Sequence, residues 1–184
     1  MFAVRDTIRL LSPANIVTAV RAVFVAVIAA IVTRPGSVSM PIVVIVLAVI
    51  ETALDGVDGW LARRTNTATA FGARFDMEVD ALLILVLAIF VWQSGKAGPW
   101  ILLSGVLRYL FIAAGWILPW MRRPLPSTFR AKTICVVQIG GLLLALLPDV
   151  APPASSAVAA VSLAALCYSF FVDTLWLYRC GDSA

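Results

Sequence analysis

The sequence contains no histidine, and charged residues occupy only 13% of its 184 positions. Without histidine, Ser-His-Asp and Cys-His catalytic arrangements and histidine metal sites are excluded. Any chemistry must therefore rest on carboxylates and arginines. The three cysteines, Cys135, Cys167 and Cys180, lie in or beside apolar segments without metal-ligand spacing. They predict small, reduced, buried side chains and no disulfide framework.

Apolar residues are abundant, at 62% of the chain with a mean hydropathy of +1.01. Soluble domains average about 45–50% apolar and about 25% charged residues, so a water-soluble globule is excluded. At roughly 20 residues per transmembrane helix, the length accommodates about six spans and no further soluble domain. The formal charge of +4 is interpreted as basic cytoplasmic loops, and nucleic-acid binding is not expected.

Six apolar segments, separated by proline, glycine or clustered charge, predict six transmembrane helices. The predicted spans are 15–32, 41–61, 76–92, 98–120, 132–147 and 154–178. Residues 1–12 carry two arginines and no cleavage site, which predicts a retained interfacial helix on the cytoplasmic side. The expected fold is an all-α integral membrane protein in which residues 1–184 form one domain, with a six-helix bundle over 15–178.

The distribution of lysine and arginine predicts the orientation of these spans. Ten basic residues lie at the termini and in the second and fourth loops, whereas the alternate loops hold only Arg34 and Lys96. Both termini and the loop between helices 2 and 3 are therefore expected on the cytoplasmic side of the cytoplasmic membrane.

Acidic residues are concentrated where predicted helix 2 ends and helix 3 begins, with six of the ten between Glu51 and Asp80. Asp55 and Asp58 are three residues apart and Asp76 and Asp80 four, so each pair shares a helix face. A carboxylate within a span costs ~2.5–3.5 kcal/mol and needs a cavity or a partner. Four converging carboxylates predict hard divalent cations such as Mg²⁺, Mn²⁺ or Ca²⁺, and paired ions of this kind are typical of phosphoryl-transfer sites.

Two simpler interpretations of the acidic residues stay open. The carboxylates could pair at the membrane surface with Arg63, Arg64 and Arg74, although such pairing would not explain the glycines among them, which let a phosphate or sugar approach the backbone. A transporter could use the aspartates as an ion path, but their clustering at one face favours a site. Glu51 is interpreted as the partner of an arginine in preference to a ligand, and Glu78 is expected to point off the metal face.

The segment 55–80 fits the pattern D-x2-D-G-x2-A-R-x8-G-x3-D-x3-D at all eight fixed positions. These positions are Asp55, Asp58, Gly59, Ala62, Arg63, Gly72, Asp76 and Asp80. The segment resembles the signature of the CDP-alcohol phosphatidyltransferases, which are integral membrane phospholipid synthases. The resemblance implies that Asp55, Asp58, Asp76 and Asp80 bind two Mg²⁺ or Mn²⁺ ions and that Asp80 also serves as the base for the acceptor hydroxyl.

The same resemblance implies a binding site for the CDP group. The residues implied are Gly59, Arg63, Thr69, Gly72, Asn15 and Thr18. The last two match the N-x-x-T at the start of the family's first span, which lines the cytidine pocket.

A second set of basic residues lies in and near the loop between helices 4 and 5. Its members are Arg108, Arg122, Arg123, Arg130 and Lys132. Basic residues in a loop often reflect only membrane topology. The guanidinium group of arginine, however, also binds phosphate through paired hydrogen bonds. Arg108 lies within a predicted span and therefore needs a partner or a cavity. Related enzymes that use glycerol 3-phosphate or inositol phosphate carry basic residues here. Gln138 departs from the glycerol-phosphate pattern, which leaves the acceptor open.

The resemblance implies Mg²⁺-dependent transfer of a phosphatidyl group from CDP-diacylglycerol to the hydroxyl of a small polyol phosphate, of the glycerol 3-phosphate or inositol phosphate type, with release of CMP. A reversed assignment stays open, in which CDP-choline or CDP-ethanolamine is the donor and diacylglycerol the acceptor. Family members are typically homodimers, so a homodimer among membrane lipids is expected.

Overall fold

The computed structural model describes residues 13–34, 36, 39–65, 70–122 and 129–181. Within these ranges the chain is helical and has no β-strand, which confirms the all-α class. The α-helices are α1 (Pro13–Val32), α2 (Pro41–Thr65), α3 (Ala70–Gln93), α4 (Leu103–Ile117), α5 (Phe129–Leu146) and α6 (Ala154–Gly181). The predicted interfacial helix at 1–12 lies outside the described residues.

The six α-helices coincide with the six predicted spans, but several of their ends differ. α3 begins at Ala70 rather than at Asp76, and α2 continues to Thr65 rather than ending at residue 61. Alanine and arginine, which are good helix formers, occur in both extensions, at residues 62–64 and at residues 70, 73 and 74.

Helix 4 was expected as one span over 98–120, and the helical stretch of this segment that is long and apolar enough to cross a membrane is Pro99–Ile117. Two 3₁₀ helices, Pro99–Leu102 and Pro119–Arg122, flank a shorter α-helix, α4. The first 3₁₀ helix continues directly into α4 at Leu103. Pro119 disfavours the α-helical conformation for the residue before it, and Leu118 is accordingly extended, so α4 ends at Ile117.

The chain divides into two compact units, the first ending at Leu83 and the second beginning at Ile84. α3 contributes residues to both units, and the single domain over 1–184 stays a prediction. In the first unit α1 packs on α2, and residues 33–40 join the two helices.

The buried residues of α1 and α2 alternate at spacings of three and four. In α1 they are Thr18, Arg21, Val25, Ile28 and Val32. In α2 they are Val44, Ala48 and Glu51. Such spacing places each set on one face of its helix. Arg21 and Glu51 thus lie on the same faces that carry the apolar packing, so the fold buries both charges.

In the second unit α5 packs on α6, and α4 also contacts α6. Lys96 ties two loops of this unit together, because its Nζ donates to the carbonyl oxygens of Leu147 at 3.1 Å and Val150 at 2.6 Å. Ser155 Oγ in turn donates to the Lys96 carbonyl at 2.7 Å. Lys96 therefore satisfies carbonyls that follow the end of α5.

Large apolar side chains also cover the outer faces of the helices. Ile42 is 62% exposed, Val161 72% and Phe171 60%. Within the described residues, two helical stretches are long and apolar enough to cross a membrane, Pro99–Ile117 and Ala154–Arg179, and Val17–Val32 and Lys132–Leu146 are shorter apolar helices. Extensive exposed apolar surface is unusual for a soluble monomer and fits a membrane protein.

Replacement of Gly105 by alanine tests the packing of the second unit. A Cβ at Gly105 would lie 2.5 Å from the Leu85 Cα and 2.6 Å from its Cβ, so Gly105→Ala should destabilise the protein by about 1–3 kcal/mol through overpacking. Gly140→Ala is the matched control, because nothing lies within 4 Å of its Cβ position. Thermal unfolding in detergent should show a lower midpoint for Gly105→Ala only, and equal midpoints would contradict this packing.

Candidate functional site

Three aspartates from two helices converge in the first unit. Asp55 lies in α2, and Asp76 and Asp80 lie one turn apart in α3. One carboxylate oxygen from each can be chosen so that all three lie within 4.8 Å of one another. We call these three residues the aspartate cluster. Their convergence follows from the shared helix faces that the sequence spacing predicts.

The guanidinium of Arg21 lies among these carboxylates. Its Nη1 is 2.8 Å from Asp55 Oδ1 and also pairs with Asp76 Oδ1. Its Nη2 is 2.5 Å from Asp80 Oδ1 and 3.0 Å from Glu51 Oε1, and Nε donates to the same Glu51 oxygen at 3.0 Å. The side chains of Arg21 and Glu51 are fully buried, whereas those of the three aspartates are partly exposed. One arginine of α1 therefore binds four carboxylates of α2 and α3.

The charges of this group do not balance. Four carboxylates face one guanidinium, so three negative charges are uncompensated within the group when all four carboxylates are ionised. Removing one partner of a buried ion pair costs about 3–5 kcal/mol, so Arg21 stabilises the arrangement in which the helices hold these carboxylates close together. The excess negative charge and the oxygen-only ligands of the aspartate cluster fit a hard divalent cation.

The role of Arg21 was not predicted from the sequence. Arg21 lies within the predicted span 15–32, and an arginine inside a span needs a partner or a cavity, as for Arg108, so the signal was present. The preferred interpretation of Glu51 is confirmed, because this residue pairs with an arginine. The alternative in which Arg63, Arg64 and Arg74 neutralise the aspartates did not anticipate that Arg21 contacts them from α1.

The residues predicted to bind CDP are only partly described. Thr18 is buried on the same face of α1 as Arg21, and Gly72 lies one turn before Asp76 in α3. Thr69 lies outside the described residues. Four further predicted residues lie in helices but outside the set of described side chains, namely Asn15, Asp58, Gly59 and Arg63.

The described basic residues predicted to bind the acceptor belong to the second unit. Arg130 Nη2 is 2.5 Å from Asp173 Oδ1, and its Nη1 donates to the Ser169 carbonyl at 3.3 Å. Lys132 is exposed at the start of α5, and Arg108 is half-buried in α4. Arg122 ends a 3₁₀ helix but has no described side chain, and Arg123 lies outside the described residues.

The fold and the site define an all-helical protein in which an aspartate cluster of divalent-cation type is built from two neighbouring helices. The family model for CDP-alcohol phosphatidyltransferases matches residues 11–171. The chain belongs to the CDP-alcohol phosphatidyltransferase family, whose members use divalent metal ions.

A curated relative gives a second comparison. Ethanolaminephosphotransferase 1 of Homo sapiens is 33% identical over an alignment of 107 residues, which covers 48% of this chain and 27% of that protein. The aligned part is thus about a quarter of the length of this relative. No solved structure matches the chain significantly.

The pair between Arg130 and Asp173 predicts coupled effects on stability. Arg130→Gln and Asp173→Asn should each destabilise the protein by about 1 kcal/mol, because each removes the same ion pair between α5 and α6. In thermal unfolding, the double variant should be no less stable than the less stable of the two single variants. Lys132→Gln, at an exposed position, is the control and should change stability by less than about 0.5 kcal/mol. Additive losses in the double variant would show that the two side chains act independently.

Proposed function

We propose that this protein transfers a phosphatidyl group from CDP-diacylglycerol to the hydroxyl of a small polyol phosphate and releases CMP. The observation that supports this proposal most directly is the aspartate cluster within a chain of the CDP-alcohol phosphatidyltransferase family. The reaction belongs to phospholipid biosynthesis.

The aspartate cluster is proposed to hold the metal. Its donors are carboxylate oxygens alone, which suits Mg²⁺ or Mn²⁺, and two ions together with Asp58 are proposed from the signature. A divalent cation at this site supplies counter-charge to the donor's pyrophosphate. Asp55, Asp76 and Asp80 would hold it, and their partial exposure leaves them accessible from outside the helix packing.

The proposed reaction forms one bond and breaks one. The acceptor hydroxyl oxygen bonds to the phosphorus that carries the diacylglycerol, and the bond from that phosphorus to the bridging oxygen of the pyrophosphate breaks, so CMP leaves with the bridging oxygen. An alcohol is a poor nucleophile at neutral pH, so a carboxylate must accept its proton. Asp80 is proposed as this base, with Asn15, Thr18, Gly59, Arg63, Thr69 and Gly72 as the residues that bind CDP.

A phosphate on the acceptor is proposed because a set of basic residues lies in and near the loop between helices 4 and 5. Arg108, Arg122, Arg123, Arg130 and Lys132 are the candidates, and guanidinium groups recognise phosphate oxygens through paired hydrogen bonds. Among the described candidates, Arg130 pairs with Asp173, Arg108 is half-buried in α4 and Lys132 is exposed at the start of α5.

The protein is proposed to lie in the cytoplasmic membrane with both termini and the aspartate cluster on the cytoplasmic side. The excess of Lys and Arg at the termini and in alternate loops supports this orientation, and the exposed apolar faces of the helices support contact with lipid. In this orientation the nucleotide and a polar acceptor reach the site from water while the acyl chains stay in the bilayer. We also propose a homodimer.

The direct test is CMP release by detergent-purified protein supplied with Mg²⁺, CDP-diacylglycerol and a panel of alcohols and phosphorylated polyols. CMP release that depends on Mg²⁺ and on a polyol phosphate is the expected result. A parallel assay with CDP-ethanolamine or CDP-choline and diacylglycerol covers the reversed assignment. Turnover only in that parallel assay would contradict the proposed donor, and no CMP release in either assay would contradict the proposed reaction.

Asp80→Asn tests the proposed base. The amide cannot accept the hydroxyl proton, and general bases contribute about 10²- to 10⁴-fold to rate, so turnover should fall at least about 100-fold while cytidine nucleotide binding is retained. Asp149→Asn makes the same chemical change outside the first unit and should leave turnover unchanged. The measurements are CMP release and equilibrium binding of a labelled CDP donor. Wild-type turnover in Asp80→Asn would reject Asp80 as the base.

Arg108→Gln tests the proposed acceptor site. Loss of a guanidinium that binds the acceptor phosphate should raise the acceptor KM by about tenfold, since charge-assisted hydrogen bonds contribute about 1.5–3 kcal/mol. The donor KM should stay within about twofold of wild type, because loss of uniform binding affects only the substrate that makes the contact. Steady-state kinetics with each substrate varied in turn provide the comparison, and equal increases in both KM values would contradict an acceptor role.

A further inference from the structure

Arg21 contacts the same carboxylates that are proposed to bind the metal. It pairs with Oδ1 of all three residues of the aspartate cluster. A divalent cation held by these residues would lie a few ångströms from the guanidinium, and like charges at that distance repel strongly where water is excluded. Metal and guanidinium therefore compete for these oxygens unless Arg21 has another carboxylate to bind.

Glu51 is such a further carboxylate for Arg21. It accepts from Arg21 through Oε1, whereas its Oε2 is buried with no hydrogen-bond partner among the described residues. A buried carboxylate oxygen without a partner is unusual, and the flat guanidinium is shaped to bind both oxygens of one carboxylate at once. Glu51 does not belong to the group of oxygens that converge within 4.8 Å, which favours Glu51 as the partner of Arg21 over Glu51 as a metal ligand.

We propose that Arg21 is a positioning residue that holds the aspartate cluster together without metal and shifts its hydrogen bonds towards Glu51 Oε2 when a divalent cation binds the aspartates. The inference rests on the proposed metal site. Arg21 remains buried in both arrangements and changes only the carboxylates that it binds. Glu51 sets how strongly the guanidinium competes with the metal.

The two partners should affect metal affinity in opposite directions. Arg21→Gln removes the competing positive charge, so the aspartates should bind a divalent cation more tightly. Glu51→Gln removes the alternative carboxylate and leaves the whole guanidinium charge to the aspartates, so the cation should bind more weakly. A purely structural role for the pair would change affinity in the same direction in both variants.

The test is Mn²⁺ binding to the purified full-length chain, followed by the electron paramagnetic resonance signal of free Mn²⁺. Relative to wild type, Arg21→Gln should lower the Kd about tenfold and Glu51→Gln should raise it about tenfold. The double variant Arg21→Gln/Glu51→Gln should return to within about threefold of wild type. Arg34→Gln is the control for net charge, because it removes an exposed arginine just after the C-terminal end of α1. Its Kd for Mn²⁺ should stay within about twofold of the wild-type value.

Unfolding measurements address the role of Arg21 without metal. In EDTA the carboxylates of Arg21→Gln repel one another with no counter-charge, so its unfolding midpoint by tryptophan fluorescence should lie below that of wild type. Saturating Mn²⁺ should raise the midpoint of Arg21→Gln more than that of wild type. If Arg21→Gln does not fold, Glu51→Gln alone decides the proposal through its Mn²⁺ affinity.

An unchanged Mn²⁺ affinity in Glu51→Gln, or weaker binding in Arg21→Gln, would overturn the proposal. The proposed function is judged separately by CMP release from the wild-type protein. If the wild-type protein binds Mn²⁺ and releases CMP, but the Mn²⁺ affinities of Arg21→Gln and Glu51→Gln do not shift in opposite directions, only the role of Arg21 is rejected. The expected shifts in a protein that releases no CMP would reject only the proposed reaction, and a wild-type protein that binds no Mn²⁺ would reject both.

Discussion

The first unit depends on one buried guanidinium. Arg21 is charged under all ordinary conditions, and a charge in an apolar interior must be paired. Its position on the apolar face of α1 requires that α2 and α3 present carboxylates to that face, which they do through Glu51, Asp55, Asp76 and Asp80. The ion pairs of Arg21 thus connect α1 to both α2 and α3 and assemble the aspartate cluster.

The second unit relies on close helix packing and on a few polar links. Gly105 lets α4 approach the backbone at Leu85, and Gly141 lies where a Cβ would meet Ser162 at 2.6 Å. Within this unit, Lys96 donates to two backbone carbonyls, and Arg130 pairs with a carboxylate. Small residues at helix contacts are typical where apolar surroundings provide little drive for helices to associate, which agrees with the apolar outer faces of this chain.

Much of the fold and part of the site could be predicted from the sequence. Long apolar segments predicted six helices. The spacings of Asp55 with Asp58 and of Asp76 with Asp80 predicted converging carboxylates because spacing reports helix faces directly, and the structure brings Asp55, Asp76 and Asp80 together. Spacing within a helix does not report which residue of a distant helix lies opposite. The partners of Arg21, 30 to 59 positions away, and of Arg130, 43 positions away, therefore required the structure. Likewise, an apolar window did not show that α4 ends before Pro119.

The central claim is that the aspartate cluster is a divalent-cation site at which a CDP-linked substrate is held. The most direct measurement is an anomalous difference map from crystals of the protein grown with Mn²⁺. The account predicts a peak at about 2.0–2.4 Å, the range of hard-cation contacts to oxygen, from carboxylate oxygens of Asp55, Asp76 and Asp80. A Mn²⁺ peak bound only elsewhere, with Arg21 still paired to all three aspartates, would contradict it.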